Sequence, residues 1–387
     1  MATTSSEKGN SGDPAATAPI PMFEILTQYQ PLRAEIEQAV RQVLDATEYI
    51  GGAALKRFEE NLGRYTHAHA VAVSSGTDAI LAALMALGIG RGDDVVTTPF
   101  TFFATAGCIA RAGAKPVFVD IDPDTFLVNM AAVETAIIPS TRGILPVHLF
   151  GQMCDMGRLM EIARPRGLAV IEDAAQSIGA RDPAGRQGAE AGTAACLSFY
   201  PTKNLGAAGD AGAVLTRDAE LAKRIAQTRQ HGETTRYHHA FVGGNFRLDG
   251  IQCAVLDVKL KHVDKWNTRR RRIAEIYNLR FAGSDVRPPV VEPGAYHVYH
   301  QYVVRAPRRD ALRDHLINRG IGCAIYYPLP LHLQECFSYL GYKQGQLPIA
   351  EQACREVLAL PVFPELTDAQ VNRVADGVLE FYCTGSA

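Results

Sequence analysis

Between Gln30 and Leu44 apolar residues return at helical spacing, at Leu32, Ile36, Ala39, Val40 and Val43, and a second helix is predicted over Ala54–Tyr65. Short apolar runs then alternate with helical stretches. Strands are expected at Ala70–Val73, Asp94–Thr97, Lys115–Val119, Gly143–His148, Leu168–Ile171, Ala195–Phe199 and Gly212–Leu215. Helices are expected at Thr77–Leu87, Phe103–Ala112, Met156–Arg164 and Ala219–Thr228, with a looser segment running to Ile138. Such alternation predicts an α/β fold: a mainly parallel, mixed sheet sandwiched by helices.

Beyond Asp249 the pattern changes. A long amphipathic helix is predicted from Ile251 to Asp264, continuing through Trp266 and Arg269–Arg272 toward Tyr277. The arginine run reads as a solvated helix face rather than an anion site. A strand-like piece (His300–Val304) and a helix (Asp310–Arg319) follow, so the last third is expected to form a smaller C-terminal α+β domain. Residues 1–21 are rich in Ser, Thr, Ala, Gly and Pro and read as a disordered tail. The expected division is tail 1–21, large domain 22–265, small domain 266–387.

Composition narrows the function without naming it. With 387 residues, 47% hydrophobic and 21% charged, the chain is an ordinary globular protein that needs no covalent staples. Thirty-nine basic against 41 acidic residues leave a net charge of −2, which argues against a broad nucleic-acid-binding face. No apolar run approaches a membrane span, and the first residues lack the basic and apolar regions of a secretory signal. Eight cysteines are scattered without a C-x-x-C pair, which argues for a reducing cytoplasm and against a disulfide framework or a zinc site. The adjacent His238-His239 makes a poor chelate, so no metal is expected.

In open α/β sheets ligands bind beyond the carboxyl ends of the strands, and there the polar motifs collect. Ser74-Ser75-Gly76-Thr77 opens a helix and reads either as a phosphate cradle or as a plain N-cap. It also half resembles a hydrolase nucleophile elbow but lacks the first glycine. Phe100, Phe102 and Phe103 follow the next strand; they read as core, or one of them as a stacking platform. Glu172-Asp173 ends another strand, where carboxylates are costly unless paired, so one is expected to meet a cation; the pair also reads as an acidic first turn. Lys203 lies past the strand ending at Phe199, in a loop continuing to Gly206, Gly209 and Gly212. A lysine in an apolar, Gly-rich loop can lose its proton and form a Schiff base. Phosphate cradle, carboxylate and lysine in that order are the set pyridoxal phosphate requires: N–H donors for its phosphate, a carboxylate for its ring nitrogen, an amine for its aldehyde.

Several pieces in order resemble the DegT/StrS sugar aminotransferases, fold-type I pyridoxal-phosphate enzymes. They are Ser-Ser-Gly-Thr-Asp-Ala (74–79), Thr-Pro-Phe-Thr-Phe (98–102), Pro-Val-His-Leu-Phe-Gly (146–151), Ile-Glu-Asp-Ala-Ala-Gln-Ser (171–177) and Ser-Phe-Tyr-Pro-Thr-Lys-Asn-Leu-Gly (198–206). Gly-Asp-Ala-Gly-Ala (209–213), Gly-Asn-Phe-Arg-Leu-Asp (244–249) and Tyr-Tyr-Pro-Leu-Pro-Leu-His-Leu-Gln (326–334) continue the series. The resemblance covers about Met22 to Cys383. It implies that Lys203 carries the cofactor and shuttles protons, Asp173 pairs with the ring nitrogen and Gln176 bonds the ring hydroxyl. Ser75, Gly76, Thr77 and Ser198 would bind the phosphate, and Phe102 would stack on the ring. Asn245 would reach the phosphate of a neighbouring subunit, implying a homodimer with composite sites. Arg247, Tyr326, Tyr327 and His239 would line the sugar pocket.

A dehydratase branch of the family carries His where this chain has Lys203, so the resemblance implies transamination. L-glutamate would be the donor, pyridoxamine phosphate the aminated form of the cofactor, and a nucleotide-linked keto sugar the acceptor. Arg236-Tyr237-His238-His239 resembles members that aminate C3 of dTDP- or UDP-linked sugars. Arg247 could pair with a hexuronate, but Tyr326 stands where His is frequent, which weakens that substrate. The alternatives are a C4 aminotransferase of a 4-keto-6-deoxy sugar, a non-catalytic pyridoxal-binding regulator, and a hydrolase using Ser74 that would leave Lys203 and Asp173 idle.

Overall fold

The computed structural model describes residues 18–384. After a short helical turn at Leu26–Tyr29, two longer helices, α1 (Arg33–Ala46) and α2 (Gly52–Thr66), precede the first strand; α2 packs on that strand, with Phe58 and Leu62 fully buried, and both pack against the helix Gly250–Leu260. The sheet follows: β1 (His69–Val73), α3 (Gly76–Ala86), β2 (Asp94–Thr97), α4 (Ala104–Arg111), β3 (Lys115–Phe118), α5 (Met130–Ala136), β4 (Thr141–Leu145), α6 (Met156–Ala163), β5 (Ala169–Asp173), β6 (Ala194–Ser198), β7 (Gly212–Thr216) and α7 (Ala219–Thr228). Helix α5 occupies part of the segment read as loose; Asn129 caps it by accepting the Ala132 N–H.

The seven strands lie in the order β1-β7-β6-β5-β4-β2-β3. The neighbours from β3 to β6 pair parallel, whereas β7 runs antiparallel to both β6 and β1. The ends of β1, β2, β4, β5 and β6 and the start of β7 therefore share one edge. Register is tight there: Gly212 faces Val73 on one side and Ser198 on the other.

After a two-stranded ribbon of β8 (Glu233–Thr235) and β9 (His238–His239) come two helices rather than the single long one expected. The first, α8 (Gly250–Leu260), ends where the His262 N–H turns back to the Lys259 carbonyl; α9 (Val263–Phe281) starts anew. The expected boundary at residue 265 falls inside the first turn of α9. Val263 packs with the large domain, while Ile273, Tyr277 and Phe281 belong to the small domain's core, so the helix is shared between them. The small domain is completed by β10 (Tyr302–Arg305), α10 (Arg309–Asn318), α11 (Pro348–Glu356), β11 (Val357–Leu360) and α12 (Asp368–Thr384), with β10 and β11 antiparallel.

Two expectations are corrected. Residues 1–17 of the expected tail lie outside the described residues, but Ile20 is not tail-like: it bridges Ile321, hydrogen-bonds Gly320 and Gly322, and is 1% exposed in the small-domain core. The arginine run is not a solvated face. Arg270 is buried and donates to the carbonyls of Tyr299, His300 and Val362, satisfying backbone oxygens that burial would otherwise orphan, and burial pulls it down to about 10. Arg269 donates to the Leu366 carbonyl and pairs with Asp368, Arg271 lies over the Tyr296 ring, and Arg272 makes a surface pair with Glu275.

Candidate active site

At the shared strand edge the chain leaves β1 through Ser74 and enters α3 at Gly76. Ser75 caps the helix, its Oγ accepting the Asp78 N–H at 3.0 Å. Helix geometry leaves the Gly76 and Thr77 N–H groups without intrahelical acceptors, at the positive end of the dipole. Ser198, at the end of β6, closes the other side. A β-carbon on Gly76 would lie 2.5 Å from Ser198 Cβ, and one on Gly212 would lie 2.4 Å from the Ser75 carbonyl group. Two glycines thus let three backbone segments meet around a concavity lined by N–H and O–H donors. The sequence left phosphate cradle and plain N-cap open; Ser75 is a cap, and the Gly76 and Thr77 N–H groups beside it are left without intrahelical acceptors.

Asp173 ends β5 and is 5% exposed. Its Oδ2 accepts the Thr105 hydroxyl at 2.7 Å and its Oδ1 the Ala175 N–H at 3.2 Å. Neighbouring Glu172 points the other way, to His148 Nε2 at 2.7 Å, both side chains fully buried. The cation expected for this carboxylate pair is therefore met at Glu172 by a histidine. Asp173 makes no ion pair among the described residues, so its charge is left for a cationic ligand. Gln176 is also buried and held at both ends: Oε1 accepts the Phe150 N–H at 2.6 Å, and Nε2 donates to the Tyr327 hydroxyl at 3.2 Å.

Lys203 lies in the loop between β6 and β7, part-buried, with its backbone N–H on the Tyr200 carbonyl. Burial pulls its ammonium down to about 8, while the negative charge of Asp173 works in the opposite direction. Asn204 clamps the loop: its Nδ2 donates to Asn267 Oδ1 at 2.7 Å and to the Val298 carbonyl, and its Oδ1 faces His300 Nδ1 at 3.1 Å. Lys259 is also pulled down to about 8 by burial, but its Nζ is spent on the Gly206 carbonyl beneath the same loop. Geometry, not basicity alone, separates Lys203 from the structural Lys259.

An amine captures an aldehyde only in its neutral form. The rate at which the apo protein captures pyridoxal phosphate should rise with pH and level off above about 8, not near the ordinary lysine value of 10.5. Because Asp173 holds the lysine pKa up, Asp173→Asn should move that inflection to lower pH. Stopped-flow absorbance across pH 6.5–10 measures both.

Not every expected residue joins this cluster. Phe100 is core, but Phe102 is 59% exposed and lines an apolar cleft with Thr77, Phe103 and Phe337 beside the cradle. Tyr326 packs edge-on against Tyr327. Arg247 and His239 line a separate groove of about 800 Å³ with Gln230 and Tyr237. The Arg247 backbone bridges Val73, so the groove abuts the cradle, and its buried Nε has no partner among the described residues. Asn245 is exposed rather than turned onto its own cradle. Sequence reasoning missed Thr105, the Phe150 N–H and the Asn204–His300 clamp. Thr101 and Thr105, four apart at a strand end, were a visible signal for the first; the others depend on contacts remote in sequence.

The donor-lined cradle, the carboxylate without an ion pair and the depressed lysine fit a phosphorylated, cationic-ring aldehyde and define a lysine-centred cofactor enzyme of the α/β type. The chain belongs to the DegT/DnrJ/EryC1/StrS aminotransferase family, whose model matches residues 30–379. Over 94% of its length it is 50% identical to a pleiotropic regulatory protein of Geobacillus stearothermophilus, covering 98% of that protein. Over 92% of its length it is 43% identical to a UDP-N-acetyl-3-dehydro-alpha-D-glucosamine 3-aminotransferase of Acidithiobacillus ferrooxidans, covering 96% of it. Its fold matches the crystal structure of S. venezuelae DesV in complex with a ketimine intermediate at a TM-score of 0.92, with 43% identity, 94% of this chain and 99% of that chain covered.

Proposed function

We propose that this protein is a pyridoxal-phosphate-dependent aminotransferase that moves the amino group of L-glutamate to the C3 keto group of a dTDP- or UDP-linked sugar, in amino-sugar biosynthesis. One observation carries the reading: a lysine depressed to about 8 shares its site with a buried carboxylate that has no ion pair, beside a glycine-lined donor cradle.

When bound, the cofactor supplies an aldehyde for amino groups and an electron-withdrawing ring. The Gly76 and Thr77 N–H groups and the Ser75 and Ser198 hydroxyls hold its phosphate. Asp173 keeps a proton on the ring nitrogen. Gln176, fixed between Phe150 and Tyr327, would meet the ring hydroxyl, and Phe102 would stack on the ring. Lys203 Nζ takes a proton from the donor carbon and later returns one to the acceptor carbon; a pKa near 8 serves both directions at neutral pH. Arg247, with its unpartnered Nε, His239, Tyr326 and Tyr327 bind the sugar nucleotide, and Asn245 of a second copy completes the phosphate site, which makes the working unit a homodimer.

The C3 assignment draws on the A. ferrooxidans relative and on the segment Arg236–His239. The regulator reading draws on the G. stearothermophilus relative's name, but an activated lysine is more than a sensor needs. No helix among the described residues is long and apolar enough to cross a membrane, and a cytoplasmic location accords with the reading. Incubation with ¹⁵N-L-glutamate and a 3-keto or 4-keto sugar nucleotide, followed by mass spectrometry, tests it. Label is expected in the 3-keto substrate. Equal labelling of the 4-keto substrate contradicts the C3 assignment, and no transfer from any amino donor favours the regulator.

A further inference from the structure

Helix threonines in this chain ordinarily bond their own helix. Thr66, Thr135, Thr228 and Thr268 each donate to the carbonyl four residues back, at 2.8 Å. Thr105, in the first turn of α4, does not: it reaches across to β5 and donates to Asp173 Oδ2 at 2.7 Å. Four residues back stands Thr101, whose own hydroxyl lies 3.0 Å from Thr105 Oγ1. The direction of this chain follows from chemistry. A carboxylate only accepts, so the Thr105 proton is committed to Asp173, and Thr101 is the donor in the second contact.

The surroundings make the contact matter. Thr105 and Thr101 are 0% and 2% exposed, so water does not replace either bond. The groups facing Asp173 are the thiols of Cys108 from α4 and Cys196 from β6, the Tyr327 phenol and Lys203. Burial and the charge of Asp173 hold both thiols protonated, and burial keeps the Tyr327 phenol so. Apart from Lys203, the carboxylate is stabilised by two hydrogen bonds, of which the Ala175 N–H at 3.2 Å is the longer. A hydrogen bond to a charged acceptor in a low-dielectric site is among the stronger ones a hydroxyl makes.

We infer that Thr105 is a positioning residue for Asp173, itself oriented by Thr101, and that the two hydroxyls set how tightly Asp173 holds a proton on the ligand it faces. The inference rests on the cofactor reading above and deepens it. Thr101, Phe102 and Thr105 lie within one strand-to-helix turn, so a single short segment orients the carboxylate and supplies the aromatic beside the cradle.

The test uses the full chain and pyridoxal 5′-phosphate, with two readouts besides turnover: the dissociation constant of the cofactor and the pH midpoint of the visible band. Thr105→Val keeps the shape and removes the donor. Asp173 then binds a proton more strongly and draws it from the ring nitrogen. A less positive ring makes the nitrogen joined to Lys203 more basic, so the midpoint moves up. The expected shift is about half a pH unit, with cofactor affinity about tenfold weaker. Thr105→Ser should retain both values within about twofold, and Thr101→Val should shift the midpoint the same way by less. An unchanged midpoint and affinity in Thr105→Val, or Ser behaving like Val, overturns the inference. Should Thr105→Val fail to fold, Thr101→Val decides, and an unshifted midpoint there overturns it. A wild-type protein that develops no visible band fails the cofactor reading itself, and the inference falls with it; a wild-type band with unaltered variants fails the inference alone.

Discussion

Lys203→Ala is expected to lower amino-group transfer by about 10⁴-fold or more, because it removes the covalent anchor and the proton carrier together. Stability should not fall with it. The wild-type ammonium is destabilised by burial, down to about 8, and no hydrogen-bond partner is left behind when it goes. The thermal midpoint should therefore be unchanged or slightly higher. Cofactor binding should persist in a weaker, non-covalent form, since the cradle around Gly76 and Ser198 does not involve the lysine. The ¹⁵N transfer assay and a thermal melt measure the two halves. Lost transfer with a collapsed melting point would mark Lys203 as structural instead.

Asp173→Asn should be the second largest effect. The amide matches the carboxylate in shape, and its oxygen can still accept from Thr105 or Ala175. What disappears is the negative charge that, on the proposed reading, would keep a proton on the ring nitrogen. Losing one preorganised electrostatic contact of this kind costs about 10²–10³-fold in turnover. Substrate affinity should change far less, because Asp173 is not among the residues that line the groove of Arg247 and His239. A kcat loss with nearly constant KM is the expected signature. An equal loss in both would place the residue in substrate binding. Loss of the charge also stops Asp173 holding the lysine pKa up, so the capture inflection of Asp173→Asn should lie below about 8.

What was legible in the sequence was local. The β2 range Asp94–Thr97 and the α7 range Ala219–Thr228 follow from periodicity and caps, and the strand-end motifs at Ser74, Asp173, Ser198 and Lys203 meet because β1, β5 and β6 end at one edge. The direction of β7 was not read from its pattern, since Gly212–Thr216 is buried on both faces and carries no alternation. Its connection was the better clue: the stretch from Ser198 to Gly212 holds no helix, and a parallel return needs a crossover that is usually helical. Tertiary context overrode composition twice. Ile20, a large apolar residue in a stretch of small and polar ones, found a pocket beside Ile321, and Arg270, one of four consecutive arginines, found three buried carbonyls.

The site was legible as a set of types rather than as a set of contacts. Lysine, carboxylate and cradle carry chemistry that residue identity alone announces. The supports do not. Asn204 reaches Asn267 and His300 across 63 and 96 positions, and Lys259 reaches Gly206 across 53. Arg247 and His239 line a groove beside the cradle rather than over it, a placement that depends on the ribbon's path and not on residue type.

The central claim is that Lys203 and Asp173 form a working pyridoxal-phosphate site that takes an amino group from glutamate. The visible absorption spectrum of the purified protein, loaded with pyridoxal 5′-phosphate and recorded before and after L-glutamate, tests it most directly, with Lys203→Ala alongside. A yellow band in the wild type that is shifted from that of free pyridoxal 5′-phosphate and bleaches with glutamate, while Lys203→Ala shows only the unshifted, unbleached band of non-covalently held cofactor, is the predicted result. A protein that stays colourless with added cofactor, or a band that Lys203→Ala reproduces and glutamate leaves untouched, would contradict it.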